Sequence, residues 1–69
     1  MNRTEQLGQR VRDTRKKQKL TQAQLAASTG VGLRFLRELE HGKETCQIGK
    51  VLQVLAMLGI SVQIDGELL

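Results

Sequence analysis

Apolar positions fall into four helical stretches followed by one alternating stretch. From Thr4 to Lys19, Leu7, Val11 and Thr14 share the inner side of a polar helix at i, i+4, i+7 spacing. The run from Arg15 to Lys19 reads as too charged for burial, so this helix offers a thin apolar stripe and a wide cationic face. Thr21 is a good N-cap for a second helix, and Gln24 three residues later completes a capping box. Leu25 and Ala26 face inward, with the short Ala26 allowing a close crossing, and Ser28-Thr29-Gly30 ends the helix. Gly32 to Glu40 forms a third helix stopped by Gly42, with Leu36, Leu39 and Glu40 on one arc and Gly32 beside them. Arg34 and Glu38 point the opposite way, with Leu33 and Arg37 on one flank and Phe35 on the other. A fourth helix carries Ile48, Val51, Leu52, Leu55 and Leu58, and Val54 and Met57 widen its stripe beyond what a small core requires. Gly59 closes it. Ile60 to Ile64 then alternates with β-branched residues, the pattern of a strand. Asp65-Gly66 signals a turn, but three following residues are expected to be too few for a second strand.

Composition narrows the chemistry. The 69 residues form one small domain, 1–69, with a single Cys and a single His, so no Cys/His metal cluster can be assembled from one copy. One Phe and no Trp or Tyr leave no aromatic platform for stacking single-stranded bases. No signal peptide and no membrane-length apolar run is evident, which makes a soluble cytoplasmic, nucleoid-associated protein without membrane contact the expectation. A domain of this size buries only about 60% of the surface its unfolded chain exposes, so association with a second copy is a common supplement.

Charge is unevenly placed. Residues 1–20 hold seven lysines and arginines against Glu5 and Asp13, a net of +5, whereas residues 21–69 hold four against five acids, a net of −1. This divides the chain into a basic end suited to a polyanion and a neutral-to-acidic end suited to something else. On charge alone a solvated helix fits equally well.

Helix, Gly turn and helix within residues 21–40 form a helix-turn-helix, in which the first helix braces across the DNA backbone and the second enters the major groove. The run Leu20-Thr21-Gln22-x-x-Leu25-Ala26-x-x-x-Gly30-Val31-x-x-x-x-Leu36-x-x-Leu39-Glu40-x-Gly42 closely resembles the phage-repressor-like (Cro/C1, or XRE-type) DNA-binding domains over residues about 5 to 60. Gly32–Glu40, Ile48–Leu55 and the terminal strand resemble, within that group, the HipB-type antitoxins. The resemblance implies an all-α, lambda-repressor-like domain of four to five helices, with the short strand at residues 60–64 pairing across a homodimer.

It also implies roles for particular residues. Leu33, Arg34 and Arg37 fall on base-reading positions, since Arg can bond guanine O6 and N7 and Leu can press on a thymine methyl. Gln22 falls where a glutamine bonds a phosphate and supports a base contact, with a plain cap neighbour as the alternative. Thr21, Arg15, His41 and Lys43 complete the phosphate candidates. Arg15 and Glu40 match a pair that bridges the first and third helices. Glu38 either accepts from cytosine N4 or pairs with Arg34 one turn earlier. Cys46 reads as an inert loop residue. Ile60, Val62, Ile64 and Met57 are the expected dimer contacts, with Ile60–Ile64 of two copies running antiparallel.

The function implied is sequence-specific binding of a palindromic double-stranded operator by a homodimeric repressor, autoregulating a toxin–antitoxin operon with a HipA-like serine/threonine-kinase toxin. Two rivals stay open: an antitoxin acting mainly by contact with its toxin, and a stand-alone regulator without one. An enzyme is not expected, because Cys46 and His41 are the sole nucleophile–base pair and lack an evident third partner. No cofactor and no metal is implied.

Overall fold

The computed structural model describes residues 1–69. Four helices follow in order, α1 (Arg3–Lys17), α2 (Gln22–Thr29), α3 (Leu33–Glu40) and α4 (Ile48–Leu58), and a hairpin of β1 (Gln63–Ile64) and β2 (Glu67–Leu68) closes the chain. None of the helices is long and apolar enough to cross a membrane.

Local chemistry sets the helix starts. Asn2 caps α1, its side chain accepting from the Glu5 N–H at 2.8 Å while the Glu5 carboxylate accepts from the Asn2 N–H at 3.1 Å. The helix therefore begins at Arg3, one residue ahead of the start expected at Thr4. Thr21 and Gln24 make the reciprocal pair at the head of α2, at 3.0 and 2.9 Å. Gly30 turns the chain between α2 and α3 at φ +78°, a left-handed conformation that glycine adopts without a Cβ penalty.

One continuous core joins all four helices: Val11 from α1, Leu25 and Ala26 from α2, Val31 from the turn, Leu36 and Leu39 from α3, and Val51, Val54, Leu55 and Leu58 from α4. Two placements on α4 differ from expectation. Val54 is fully buried, so it belongs to the core rather than to a surplus stripe, whereas Ile48 is left exposed. Met57 remains half exposed. The angular spread of the stripe is wider than a single partner would need because α1 and α2 both pack against α4.

Helix α1 meets α3 through Gly8, which the apolar pattern does not mark. A Cβ at Gly8 would run into the carbonyl oxygens of Leu39 and Glu40 at the end of α3. Gly42 makes the reciprocal approach at φ +85°, where a Cβ would lie 2.7 Å from Cγ of Glu5.

Arg15 is buried, unlike the rest of the run Arg15–Lys19. Its guanidinium donates from Nε to Glu40 Oε2 at 2.7 Å, from Nη2 to Glu40 Oε1 at 3.0 Å and from Nη1 to the Leu20 carbonyl at 2.8 Å. Gln22 Nε2 adds a further donor to Glu40 Oε1 at 3.0 Å. A charged residue can therefore leave the solvent here because a bidentate carboxylate and a carbonyl replace its water.

The C-terminal segment corrects the expectation of an unpaired strand over residues 60–64. Gln63 stands opposite Leu68 and Ile64 opposite Glu67 in an antiparallel hairpin, and the Leu69 N–H extends the pairing by donating to the Val62 carbonyl at 2.9 Å. Asp65 at φ +51° and Gly66 at φ +81° form the two-residue turn. Two consecutive positive φ angles twist in the sense of the flanking strands, so the chain reverses within two residues and Glu67-Leu68-Leu69 is enough to return. Ile60 to Ser61 stays outside the ladder, with Ile60 packed against the core.

Gly8→Ala should destabilise the domain by about 1–3 kcal/mol, because α1 must move off two backbone carbonyls that cannot rotate away. Each kcal/mol corresponds to roughly 4–8 °C in a domain this size, so thermal unfolding reads the effect directly, and an unchanged Tm would mean that the helices separate freely. Glu40→Gln should cost about 3 kcal/mol by leaving the Arg15 charge buried against a neutral amide. The same unfolding measurement checks it; a wild-type Tm would show that the pair contributes nothing net.

Candidate nucleic-acid interface

The outward arc of α3 is built by what its inward arc buries. Leu36, Leu39 and Glu40 are held inside, so Arg34 and Arg37 are forced to the solvent side of the same short helix. The Arg34 side chain is 92% exposed. Leu33 is half-buried and packs on the core, so only part of it is available to a thymine methyl. Gly32 provides no side-chain cap to α3, which leaves the helix start without an internal acceptor for its first N–H groups.

The structure brings Arg15, Thr21, Gln22 and His41 together, four of the residues singled out as phosphate candidates. They line a cleft of about 460 Å³ with Leu20, Glu40 and Arg12, where the end of α1, the start of α2 and the end of α3 converge. Arg12 was not legible as a site residue, because only the packing of α1 against α3 turns that position toward the cleft. Arg15 spends its donors inward on Glu40 and Leu20, so its role in the fold is direct and little of it faces the cleft. Gln22 is half-buried with its amide tied to Glu40. Thr21 is committed to capping Gln24, while the N–H groups of Gln22 and Ala23 start α2 outside its internal ladder and can donate to an anion. His41 Nδ1 donates to the Arg37 carbonyl at 2.8 Å, which leaves Nε2 for an outside partner.

Lys43 lies apart from that cleft. The loop after α3 folds back so that the Lys43 N–H donates to the Glu38 carbonyl at 3.0 Å, and Lys43 Nζ then reaches Glu38 Oε2 at 2.6 Å. Glu38 Oε1 simultaneously accepts from Arg34 Nε at 3.2 Å. The Lys43 hydrogen bond, opposed in part by burial and helped by the charges of Lys43 and Arg34, holds the Glu38 carboxyl below the usual carboxylate range. Spacing alone suggests the Arg34 partner; the Lys43 partner depends on the Gly42 turn. Lys50 stands over the Phe35 ring at 5.7 Å from its centre, a contact between α4 and α3 that the sequence pattern does not signal.

Cys46 is half-buried and donates from Sγ to the Lys43 carbonyl at 3.5 Å. Burial pushes its thiol up, which disfavours the reactive thiolate. No group of three or more His, Cys, Asp and Glu side chains could hold a metal ion.

Arranged this way, the surface can offer an Arg-bearing helix for base edges, flanked on one side by a polar cleft and on the other by a lysine loop. Of the expected dimer contacts, Ile60 and Val62 line a separate apolar groove between α4 and the hairpin with Leu52, Ala56, Leu68 and Leu69, whereas Met57 lines another hollow with Thr29, Gln53 and Ala56 and Ile64 is exposed on the hairpin.

Comparison with known proteins points the same way. A solved structure described as MDT Protein superimposes with a TM-score of 0.82 over 97% of this chain and 96% of that one, at 19% identity, a likeness of fold alone. In Sinorhizobium fredii (strain NBRC 101917 / NGR234), the uncharacterized HTH-type transcriptional regulator y4mF is 59% identical over 58 residues, covering 84% of this chain and 76% of that protein. The family model described as a helix-turn-helix domain matches residues 8–68, from within α1 to the end of β2, and the chain belongs to that family.

Proposed function

We propose that the protein is a sequence-specific double-stranded DNA-binding transcriptional repressor acting as a homodimer. The observation that carries this reading is the opposed use of arginine: Arg15 is locked inward by Glu40 and Leu20, while Arg34 and Arg37 stand outward on the helix that follows the turn. An exposed Arg on a rigid helix can bond guanine O6 and N7 together, whereas Lys43, His41 and the start of α2 suit phosphates. The S. fredii regulator, named for transcription, supports the same reading.

The homodimer draws support from the apolar end of the molecule. Leu68 and Leu69 line the groove between α4 and the hairpin and are largely exposed, and Met57 and Ile64 are at least half exposed elsewhere on α4 and β1. In the hairpin, Ile64 faces Glu67 next to the turn and Val62 bonds Leu69, so Val62 directs its backbone toward β2. Gln63 between them directs its N–H and C=O to the outer edge, where a second copy of β1 can pair antiparallel. Such a two-fold axis would set two α3 helices about 34–36 Å apart, matching a palindromic operator with half-sites one helical turn apart. The finer reading, an autorepressor of an operon that also encodes a HipA-like kinase toxin, rests on the resemblance of α3 and α4 to HipB-type antitoxins. Co-purification with the product of the adjacent gene tests it.

Arg34→Ala should cost about 1–3 kcal/mol on the best operator selected from a randomised duplex pool and relax preference at one or two base pairs. Lys43→Ala should weaken binding to the selected operator without changing which base pairs are preferred, and make its salt dependence shallower by about one. An unchanged ranking of operator variants for Arg34→Ala would remove the base-reading role.

Gln63→Pro deletes the outward N–H while leaving the bonds to β2 in place, so it should yield monomers in light scattering and abolish cooperative operator binding together. A stable dimer after that change would move the interface off the strand edge.

A further inference from the structure

The exposed face of α3 carries one acidic residue in the middle of its basic surface, and both of its carboxylate oxygens are taken by different cations. Oε1 accepts from Arg34 Nε at 3.2 Å and Oε2 from Lys43 Nζ at 2.6 Å. Helix stability does not account for this. The i, i+4 order runs Arg before Glu, the weaker orientation, and an exposed pair of this kind adds little. The backbone bond from the Lys43 N–H to the Glu38 carbonyl shows that the loop is folded to deliver the lysine to this carboxylate.

We propose that Glu38 is a specificity-determining residue that orients Arg34 for the correct base pair and withholds the Arg34 and Lys43 cations from arbitrary phosphates. The inference rests on the DNA-binding reading above. With Glu38 bonded to Nε, both terminal amino groups of Arg34 remain available, and these form the fork that matches O6 and N7 of guanine. Glu38 can therefore stay bonded to Arg34 and orient it on the right base pair. A phosphate can take the same two amino groups of Arg34, but it then brings its negative charge against the ionised Glu38 carboxylate, and it reaches Lys43 only by drawing that cation from the same carboxylate. Guanine O6 and N7 carry no net charge and meet no such repulsion. The carboxyl is ionised at neutral pH, and the Lys43 hydrogen bond holds it below its usual range. The carboxylate thus weakens binding to arbitrary sequence more than binding to the operator.

The test compares wild type, Glu38→Gln and the double variant Glu38→Gln/Lys43→Met on two probes. One is a duplex selected by the wild-type protein from a randomised pool; the other is a scrambled duplex of the same composition and length. Both are titrated across a salt series, and thermal unfolding checks that each variant folds. Glu38→Gln should bind the scrambled duplex roughly tenfold more tightly, with a salt dependence steeper by about one, because a cation is released to phosphate. Its preference for the selected duplex should fall by a similar factor. Removing Lys43 as well should return the salt dependence to the wild-type value. Unchanged scrambled-duplex affinity and slope in Glu38→Gln would overturn the proposal. So would a loss of affinity confined to the selected duplex with no gain on the scrambled one, since that pattern makes Glu38 a reader of a base such as cytosine through N4. A wild-type protein that binds neither duplex would instead remove the DNA-binding reading itself, and this inference with it.

Discussion

A carboxylate is buried where three helices meet, and the arrangement of the molecule depends on its being matched. Glu40 ends α3 with a side chain that is 2% exposed, and its oxygens are satisfied by Arg15 from α1 and Gln22 from α2. Arg15 also holds the carbonyl of Leu20, so the link between α1 and α2 is secured by the same group. An unmatched charge at that depth would cost several kcal/mol, so each of these elements is confined to the positions that keep the network closed. Apolar packing alone is less directional. The network sets the rotation of α3 about its axis, and that rotation decides which side chains face outward.

Close approach makes the network reachable. Gly8 lets α1 lie directly against the last carbonyls of α3, and Gly42 lets the following loop lie against Glu5. With a larger residue at either point, α1 and α3 would stand further apart and a 2.7 Å bond between Arg15 and Glu40 would be lost or strained. The polar cleft beside it, with Arg12, Thr21, Gln22 and His41 on its walls, is a consequence of the same convergence. Surface chemistry here follows from how the interior is held.

Opposite charges are also used at the surface, with a different effect. Glu38 meets Arg34 and Lys43 in solvent, where an ion pair contributes little stability but still governs how readily a cation is given up to an anion. The two acidic residues of α3 thus act two residues apart in opposite settings: Glu40 fastens the helix to the body of the protein, and Glu38 tempers its exposed face. The hairpin, by contrast, leaves Ile64, Leu68 and Leu69 exposed, an apolar surface unlike the charged one.

The start and stop of α2 were written in the sequence itself. The Thr21–Gln24 capping box and Gly30 need only residues within a few positions of each other, and backbone hydrogen bonding then determines the outcome. The apolar periodicity of α4 and the outward direction of Arg34 and Arg37 were equally local, since about 100° per residue fixes which side chains share a face. Tertiary structure decided what periodicity cannot carry. Val54 is core because two other helices converge on α4; Arg15 is buried because Glu40 lies across from it; Lys43 meets Glu38 because Gly42 reverses the loop. The hairpin lies between these cases. Its Asp65-Gly66 turn was visible, but Glu67 and Leu68 become a strand only because backbone partners in Gln63 and Ile64 are brought opposite them. Two residues show too little alternation to declare themselves, and pairing, unlike helix formation, draws its hydrogen bonds from a neighbouring segment.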